Sequence, residues 1–162
     1  MDQEHEQRVE QQSASTQSPL EPGDPVHLLV SVPIVWADPH APLGELARQL
    51  EEEHVGALLV MEGDLLAGMI SERDLVRVLA SGDHSRDVWT ADVMALDLVQ
   101  VDGSTPIGMA ALKMLESGVR HLPVTSEGRV IGIVSMRDVL RVLTDYWLRR
   151  PPRCSSSAGS GA

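Results

Sequence analysis

The nine residues SERDLVRVL, at positions 71–79, occur again in nearly the same form, SMRDVLRVL, at positions 135–143. Shifting the chain against itself by 64 residues aligns positions 35–79 with positions 99–143 without a gap. The two copies share further identical pairs: Val35/Val99, Asp38/Asp102, Pro42/Pro106, Gly44/Gly108, Ala47/Ala111, Glu52/Glu116, Val55/Val119, Leu58/Leu122, Val60/Val124 and Gly68/Gly132. A tandem repeat with two copies predicts two units that pack face to face, because each is too small to bury its own apolar side.

Within each copy the hydrophobic pattern changes in the same order. A short apolar segment comes first, and an amphipathic helix that begins at a proline follows it. Two strands come next, ALLVM and LLAGMI in the first copy and HLPVT and RVIGIV in the second, joined by the turn-like segments EGD and SEG. The closing helix starts at the repeated motif. The pattern therefore predicts an α/β (α+β) fold of two β-α-β-β-α repeats.

The two ends of the chain differ from this body in composition. Residues 1–23 are expected to form a disordered acidic tail, because Gln, Glu, Ser and Pro cannot bury enough apolar surface to offset the entropy of ordering. Prolines and small residues likewise predict a flexible tail over residues 149–162. Between them, the first repeat is assigned to residues 24–87 and the second to residues 88–148.

Charge and cysteine content narrow the class of protein. The net charge of −11, from 13 Lys and Arg against 24 Asp and Glu, argues against a general binder of nucleic acid or anionic membranes. The single cysteine, Cys154, has no partner for an intrachain disulfide, which fits a reducing compartment. The chain begins with neither a signal peptide pattern nor an apolar run near the roughly 18 residues of a membrane span. These features predict a cytoplasmic protein.

The repeated motif allows two interpretations. Its S-x-x-D form is that of a capping box, which satisfies free backbone groups at a helix start and needs no ligand. The motif also places a cation, Arg73 or Arg137, beside the positive end of a helix, which is a ready site for phosphate. Asp74 and Asp138 would then suit hydrogen bonds from sugar hydroxyls. Phosphate site, cation and diol acceptor together describe a ribonucleotide.

The double signature GMISERD and GIVSMRD resembles that of cystathionine-β-synthase (CBS) domains. The order of strands and helices, and HLPV before the second hairpin, are also similar to that family over about residues 25–148. The resemblance implies a tandem CBS pair, or Bateman module, whose two repeats are related by pseudo-twofold symmetry and form two clefts. In that family the clefts bind adenosine ligands such as AMP, ADP, ATP or S-adenosylmethionine.

Carried onto this chain, the resemblance makes the motif aspartates the ribose acceptors and places the serines and arginines near the phosphates. Residues at the strand entrances complete the expected site: Ser71, Arg73, Asp74, Ser135, Arg137, Asp138, Arg120, His121, Pro123, Gly56 and Ala57. Only the second repeat has basic residues at its strand entrance, so the two clefts are expected to differ in affinity, or one to be empty. His121 either meets a phosphate or is an edge-strand histidine in solvent.

The leading hypothesis is a stand-alone regulatory module that senses an adenine nucleotide and signals to an unidentified effector protein. No enzyme activity, metal or cofactor is expected, the nucleotide being a regulatory ligand, since no catalytic motif or metal-ligand spacing is present. The resemblance implies a homodimer paired through helices. The alternatives are a structural or protein-interaction module without a ligand, a binder of S-adenosylmethionine or another adenosyl ligand, and an enzyme with an unrecognised site.

Overall fold

The computed structural model describes residues 18–30, 34–82 and 88–150. A 3-10 helix, Val26–Leu29, precedes the first repeat. That repeat contains β1 (Trp36–Ala37), α1 (Leu43–Glu52), β2 (Ala57–Glu62), β3 (Leu65–Ser71) and α2 (Glu72–Ser81). A short helix, α3 (Thr90–Val93), leads into the second repeat of β4 (Val101–Asp102), α4 (Ile107–Ser117), β5 (His121–Ser126), β6 (Arg129–Ser135) and α5 (Met136–Arg149). The predicted order of strands and helices is confirmed in both repeats.

Each repeat forms its own three-stranded sheet, in the order β1-β2-β3 and β4-β5-β6. The first strand runs parallel to the second, and the second and third pair antiparallel. The hairpins have equivalent registers, Ala57 opposite Ser71 and His121 opposite Ser135, and each contains an irregularity at the equivalent place. The repeat in the sequence is therefore a repeat in backbone geometry.

The first strand of each repeat is shorter than the apolar segment that predicts it. Each strand ends at or next to an aspartate whose carboxylate accepts a hydrogen bond from a backbone amide two residues further along the chain. Asp38 accepts a hydrogen bond from the His40 amide at 2.7 Å, and Asp102 accepts one from the Ser104 amide at 2.9 Å. Such local bonds compete with continued strand pairing. They leave two residues in each of β1 and β4.

The segment that precedes each repeat packs on the other repeat. Val26 is buried in the core of the second repeat, and Val93 and Met94 pack against the core of the first. The backbone contacts are reciprocal, since Pro25 bridges to Pro106 while Trp89 bridges to Pro42. We call this reciprocal packing the exchange of leading segments. It follows the pseudo-twofold relation of the repeats and connects their two small cores.

The start of the chain shows one difference from the boundary drawn at residue 23. Arg150 lies 3.0 Å from the Glu21 carboxylate, and Arg149 donates to the Leu20 carbonyl at 3.2 Å. The amide of Gly108, in the first turn of α4, donates to the Pro22 carbonyl at 2.8 Å. Free amides at a helix start attract such acceptors. Leu20, Glu21 and Pro22 are therefore held against the second repeat, and Arg149, the first residue of the expected C-terminal tail, ends α5. Residues 1–17 and 151–162 of the expected tails lie outside the described residues.

In the part of the chain that the structure describes, no helix has the length and apolar character needed to cross a bilayer.

Candidate functional site

Helices α2 and α5 both begin directly after the serine of the repeated motif, which is the N-cap residue, and both starts carry the residues of a capping box. The Ser71 amide donates to Oδ2 of Asp74 at 2.9 Å, and the Ser135 amide donates to Oδ2 of Asp138 at 3.2 Å. Each serine hydroxyl donates to the same oxygen. The bond from the serine amide to the aspartate carboxylate is therefore present in both repeats, and in the second repeat the Asp138 amide also donates to the Ser135 hydroxyl oxygen at 3.3 Å. Any ligand role must be compatible with this helix cap.

An arginine one turn further along pairs with the other oxygen of each aspartate, which the sequence analysis did not foresee. Arg77 lies 2.7 Å from Oδ1 of Asp74, and Arg141 lies 2.9 Å from Oδ1 of Asp138. Both arginine side chains are mostly exposed, at 70% and 71% of their full area. Exposed ion pairs of this kind contribute little to stability, so a ligand can displace the arginines at low cost.

Between the two repeats, at the strand-entrance end of the sheets, lies a cavity of about 350 Å³. It brings together seven of the expected site residues: Gly56, Ala57, Arg120, His121, Ser135, Arg137 and Asp138. Five further residues line it that sequence reasoning missed: His54, Val55, Glu72, Ile133 and Met136. A volume of this size lies within the range of small-molecule sites.

Most of the missed residues carried a usable signal. His54 and Val55 directly precede the Gly56 entrance, while Glu72 and Met136 are the variable residues of the two motifs. Ile133 sits on β6, two residues before Ser135 and therefore on the same face of the strand. Strand alternation alone could have placed it in the cleft.

The remaining four expected site residues do not line this cavity. Ser71, Arg73 and Asp74 lie at the start of α2 and line neither this hollow nor a larger one of about 1080 Å³ at the hairpin end of the sheets. Pro123 is buried within β5, where it pairs in register with Ile133. The structure therefore does not support a ligand contact for Pro123.

The cavity lining divides by chemistry. Val55, Ala57, Ile133 and Met136 give it an apolar wall. Arg120 and Arg137 supply two cations, whereas Asp138 and Glu72 supply two carboxylates. The amide of Met136, the first residue of α5, donates to the Arg120 carbonyl at 2.8 Å and so fixes the basic strand entrance against the helix start. In the described ranges no group of three or more His, Cys, Asp or Glu side chains is placed to hold a metal.

His121 is a partly buried histidine at the centre of this lining. Burial lowers its pKa from the ordinary value of 6.5, and the neighbouring Arg120 and Arg137 act in the same direction. The carboxylates of Glu72 and Asp138 oppose this shift only in part. The neutral imidazole is therefore favoured in the folded protein. The side chain is half-buried and lines the cavity, so it is not the free edge-strand histidine of the alternative interpretation.

The lowered pKa of His121 predicts a pH dependence of stability. As the pH falls through 6.5, the histidine of the unfolded chain takes up a proton that the folded protein does not yet bind. The free energy of unfolding should therefore fall on acidification below that pH, and His121 should contribute no such change above it. Denaturant unfolding at about pH 7.5 and about pH 5.5 measures the difference. The His121→Gln variant should show a smaller loss, and an equal loss would contradict the assignment.

The CBS domain family model matches residues 27–81 and 90–145. The chain therefore belongs to the CBS domain family, as a tandem pair. An uncharacterized protein from Methanopyrus kandleri is 31% identical over 112 residues, which cover 67% of this chain and 57% of that one. An uncharacterized 17.7 kDa protein from Acidianus ambivalens is 32% identical over 122 residues, covering 74% and 73%. The chain thus spans little more than half of the Methanopyrus protein.

Solved structures agree with the family assignment. A CBS-domain-containing protein from Agrobacterium tumefaciens superposes with a TM-score of 0.68 at 27% identity, covering 75% of this chain and 94% of that one. A CBS domain protein from Pyrobaculum aerophilum, complexed with AMP, gives a TM-score of 0.68 at 24% identity, covering 76% and 98%. The fold is that of a CBS pair, as the motif resemblance predicts.

Proposed function

We propose that this CBS pair is a regulatory module that binds an adenine nucleotide in the cavity beside Asp138. The observation that carries the proposal is the composition of that cavity, which joins a motif carboxylate, an apolar wall and two arginines. Both repeats contribute to it. A ligand that fills it contacts the two halves at once, as a regulatory ligand must if it is to change how they pack.

Asp138 is suited to a ribose hydroxyl. A carboxylate offers about four acceptor sites. Asp138 receives the amide and hydroxyl of Ser135 on Oδ2 and the guanidinium of Arg141 on Oδ1. The remaining acceptor capacity lies on Oδ1, which accepts only the guanidinium of Arg141. A sugar hydroxyl can therefore bind without opening the helix cap.

The apolar wall is suited to the base. A purine ring presents two flat apolar faces, and burying them against aliphatic side chains is favourable by about 25 cal/mol for each Å² removed from water. Val55 and Ala57 come from the first repeat, whereas Ile133 and Met136 come from the second. A base between them would be held by both sheets.

The two arginines are suited to phosphate. Arg120 precedes β5 and Arg137 lies in the first turn of α5, so both sit beside the positive end of that helix. Their charge disfavours S-adenosylmethionine, which is cationic at sulfur. The AMP bound to the Pyrobaculum relative is consistent with this ligand class, although the likeness to that protein supports the fold and not the ligand.

Ligand binding would regulate by shifting the equilibrium between two arrangements of the repeats. Only a difference in affinity between two arrangements of the repeats can transmit a signal. A nucleotide that contacts Ala57 of one repeat and Asp138 of the other favours the arrangement in which the cavity is closed. The output then passes to an effector protein, with no catalytic step in this chain.

Calorimetric titration tests the proposal and separates it from its alternatives. AMP, ADP and ATP should bind more tightly than S-adenosylmethionine. Arg137→Ala should weaken nucleotide binding. Its matched control, Arg73→Ala, should leave the affinity unchanged because Arg73 does not line the cavity. An absence of heat and of any melting shift with all four compounds would leave a structural module whose motifs act only as caps.

We further propose that the chain is a homodimer through the helices of its second repeat. Several large apolar side chains are exposed there: Met109, Leu112, Leu115, Leu140, Trp147 and Leu148. On α4 they are spaced three residues apart and so share one face. An exposed face of this kind is typical of an interface.

Negative charge introduced among these exposed apolar residues is expected to dissociate the dimer. Leu115 and Trp147 are 69% and 56% exposed, and glutamate at both positions would place repelling carboxylates in an apolar contact. Size-exclusion chromatography with light scattering should show a dimer for the unmodified chain and a monomer for the double variant. Leu65→Glu, at a hairpin residue that is 74% exposed, is the control and should remain dimeric. A monomeric unmodified chain would refute the proposal.

A further inference from the structure

The two repeats offer equivalent motif helices, but the strand entrances that face those helices are not equivalent. The cavity beside Asp138 has Gly56 and Ala57 of the first repeat at its edge. The corresponding positions of the second repeat, 64 residues later, are Arg120 and His121. The cleft beside Asp74 would therefore meet the imidazole of His121 where the cleft beside Asp138 meets the methyl group of Ala57.

The position of the His121 ring makes this difference concrete. A Cβ atom on Gly56 would lie 3.3 Å from both Cε1 and Nε2 of His121, and 3.7 Å from Oε2 of Glu72. Glu72 is the first residue of α2, directly after Ser71. The imidazole thus lies over the entrance of β2, near the first residue of the first motif helix, and borders the cavity beside Asp138 from that side.

Arg120 adds to the asymmetry. Arg120 lines the cavity beside Asp138, so its positive charge is available to an anionic ligand in that cleft. The equivalent residue of the first repeat is Gly56, which has no charge to offer. Among the described residues, the motif of the second repeat therefore has a further cation from its own repeat and an open space beside it, whereas Ser71, Arg73 and Asp74 line neither of the two cavities described above.

We infer that the chain binds one nucleotide, in the cleft beside Asp138, and that the equivalent residues Ala57 and His121 decide which cleft is open. This inference rests on the proposed function. Ala57 leaves room for the ligand because its side chain ends at Cβ, whereas His121 fills the equivalent space with a five-membered ring. The first motif keeps its capping box and acts as a helix start without a ligand.

The stoichiometry of AMP binding tests the inference. Calorimetry should give one AMP per chain, with an affinity that falls about 10- to 100-fold in Asp138→Ala and is unchanged in Asp74→Ala. Two AMP molecules per unmodified chain, or a single site removed by Asp74→Ala, would overturn the inference while leaving the proposed function in place. If neither AMP nor ATP binds at all, the proposed function itself fails, so the two failures are distinguishable.

Removing the ring should open the closed cleft. His121→Ala should bind two AMP molecules per chain, and the additional site should disappear when Asp74→Ala is introduced as well. One AMP per chain in His121→Ala would refute the role of the histidine. The exchange variant, Ala57→His with His121→Ala, should again bind one AMP, now sensitive to Asp74→Ala and insensitive to Asp138→Ala. Because Ala57 is buried, circular dichroism must first show that this variant folds, and His121→Ala alone decides the question if it does not.

Discussion

Replacing Asp138 by alanine is expected to weaken adenine nucleotide binding by about 10- to 100-fold. The variant removes a charge-assisted hydrogen bond to the ribose, and bonds to charged groups contribute about 1.5–3 kcal/mol. It leaves Arg120 and Arg137 in the cavity, so weak binding of phosphate should persist. Isothermal titration calorimetry with AMP measures the effect directly.

The internal repeat supplies a matched control for this variant. Asp74→Ala removes the same capping box and the same type of arginine pair, but Asp74 does not line the cavity. Both variants should lose about 1 kcal/mol of stability from the damaged helix start. Only Asp138→Ala should lose affinity for the nucleotide. Equal losses of affinity in the two variants would mean that the effect comes from helix stability and not from a ligand contact.

Much of the fold follows from the sequence because the information is local and repeated. Alternation, turn glycines and the proline at the first helix of each unit predict the strands and helices, and the second copy confirms each assignment made on the first. The capping boxes are equally local, since the serine and the aspartate lie three residues apart. These features need no knowledge of how the repeats pack.

The difference between the two clefts could not be read from the motifs, which are nearly identical. The difference depends on a residue that the opposite repeat places beside each motif. That residue is Gly56 for the open cleft and His121 for the closed one. The sequence shows that the strand entrances differ. It does not show which motif each entrance faces, because that is set by the pseudo-twofold packing of the sheets.

The exchanged leading segments were also beyond sequence reasoning. Val26 and Met94 are apolar residues in short segments without a strong period, and nothing local assigns them to the partner repeat. In the structure, these two leading segments cover equivalent glycines. Val30 lies against Gly132, and Met94 lies against Gly68, at equivalent points of β6 and β3.

Gly68→Ala is expected to destabilise the protein by about 1–3 kcal/mol, the usual cost of overpacking a closely packed site. An added Cβ would lie 2.7 Å from Sδ of Met94 and 2.8 Å from the carbonyl oxygen of Ala95. The methionine can move, but the carbonyl cannot move freely. Two backbone hydrogen bonds between Met69 and Ala95, at 3.1 and 2.8 Å, hold that segment on β3.

Gly44→Ala is the control for this variant, because Gly44 lies in helix α1 and an added Cβ meets nothing within 4 Å. It should stabilise the helix by up to about 1 kcal/mol, since alanine loses less backbone entropy than glycine. Urea unfolding of both variants measures the contrast. If Gly68→Ala is as stable as the unmodified chain, the segment after α3 does not lie on the sheet of the first repeat. That result would mean that the reciprocal packing of the leading segments does not join the two cores on either side of the cleft.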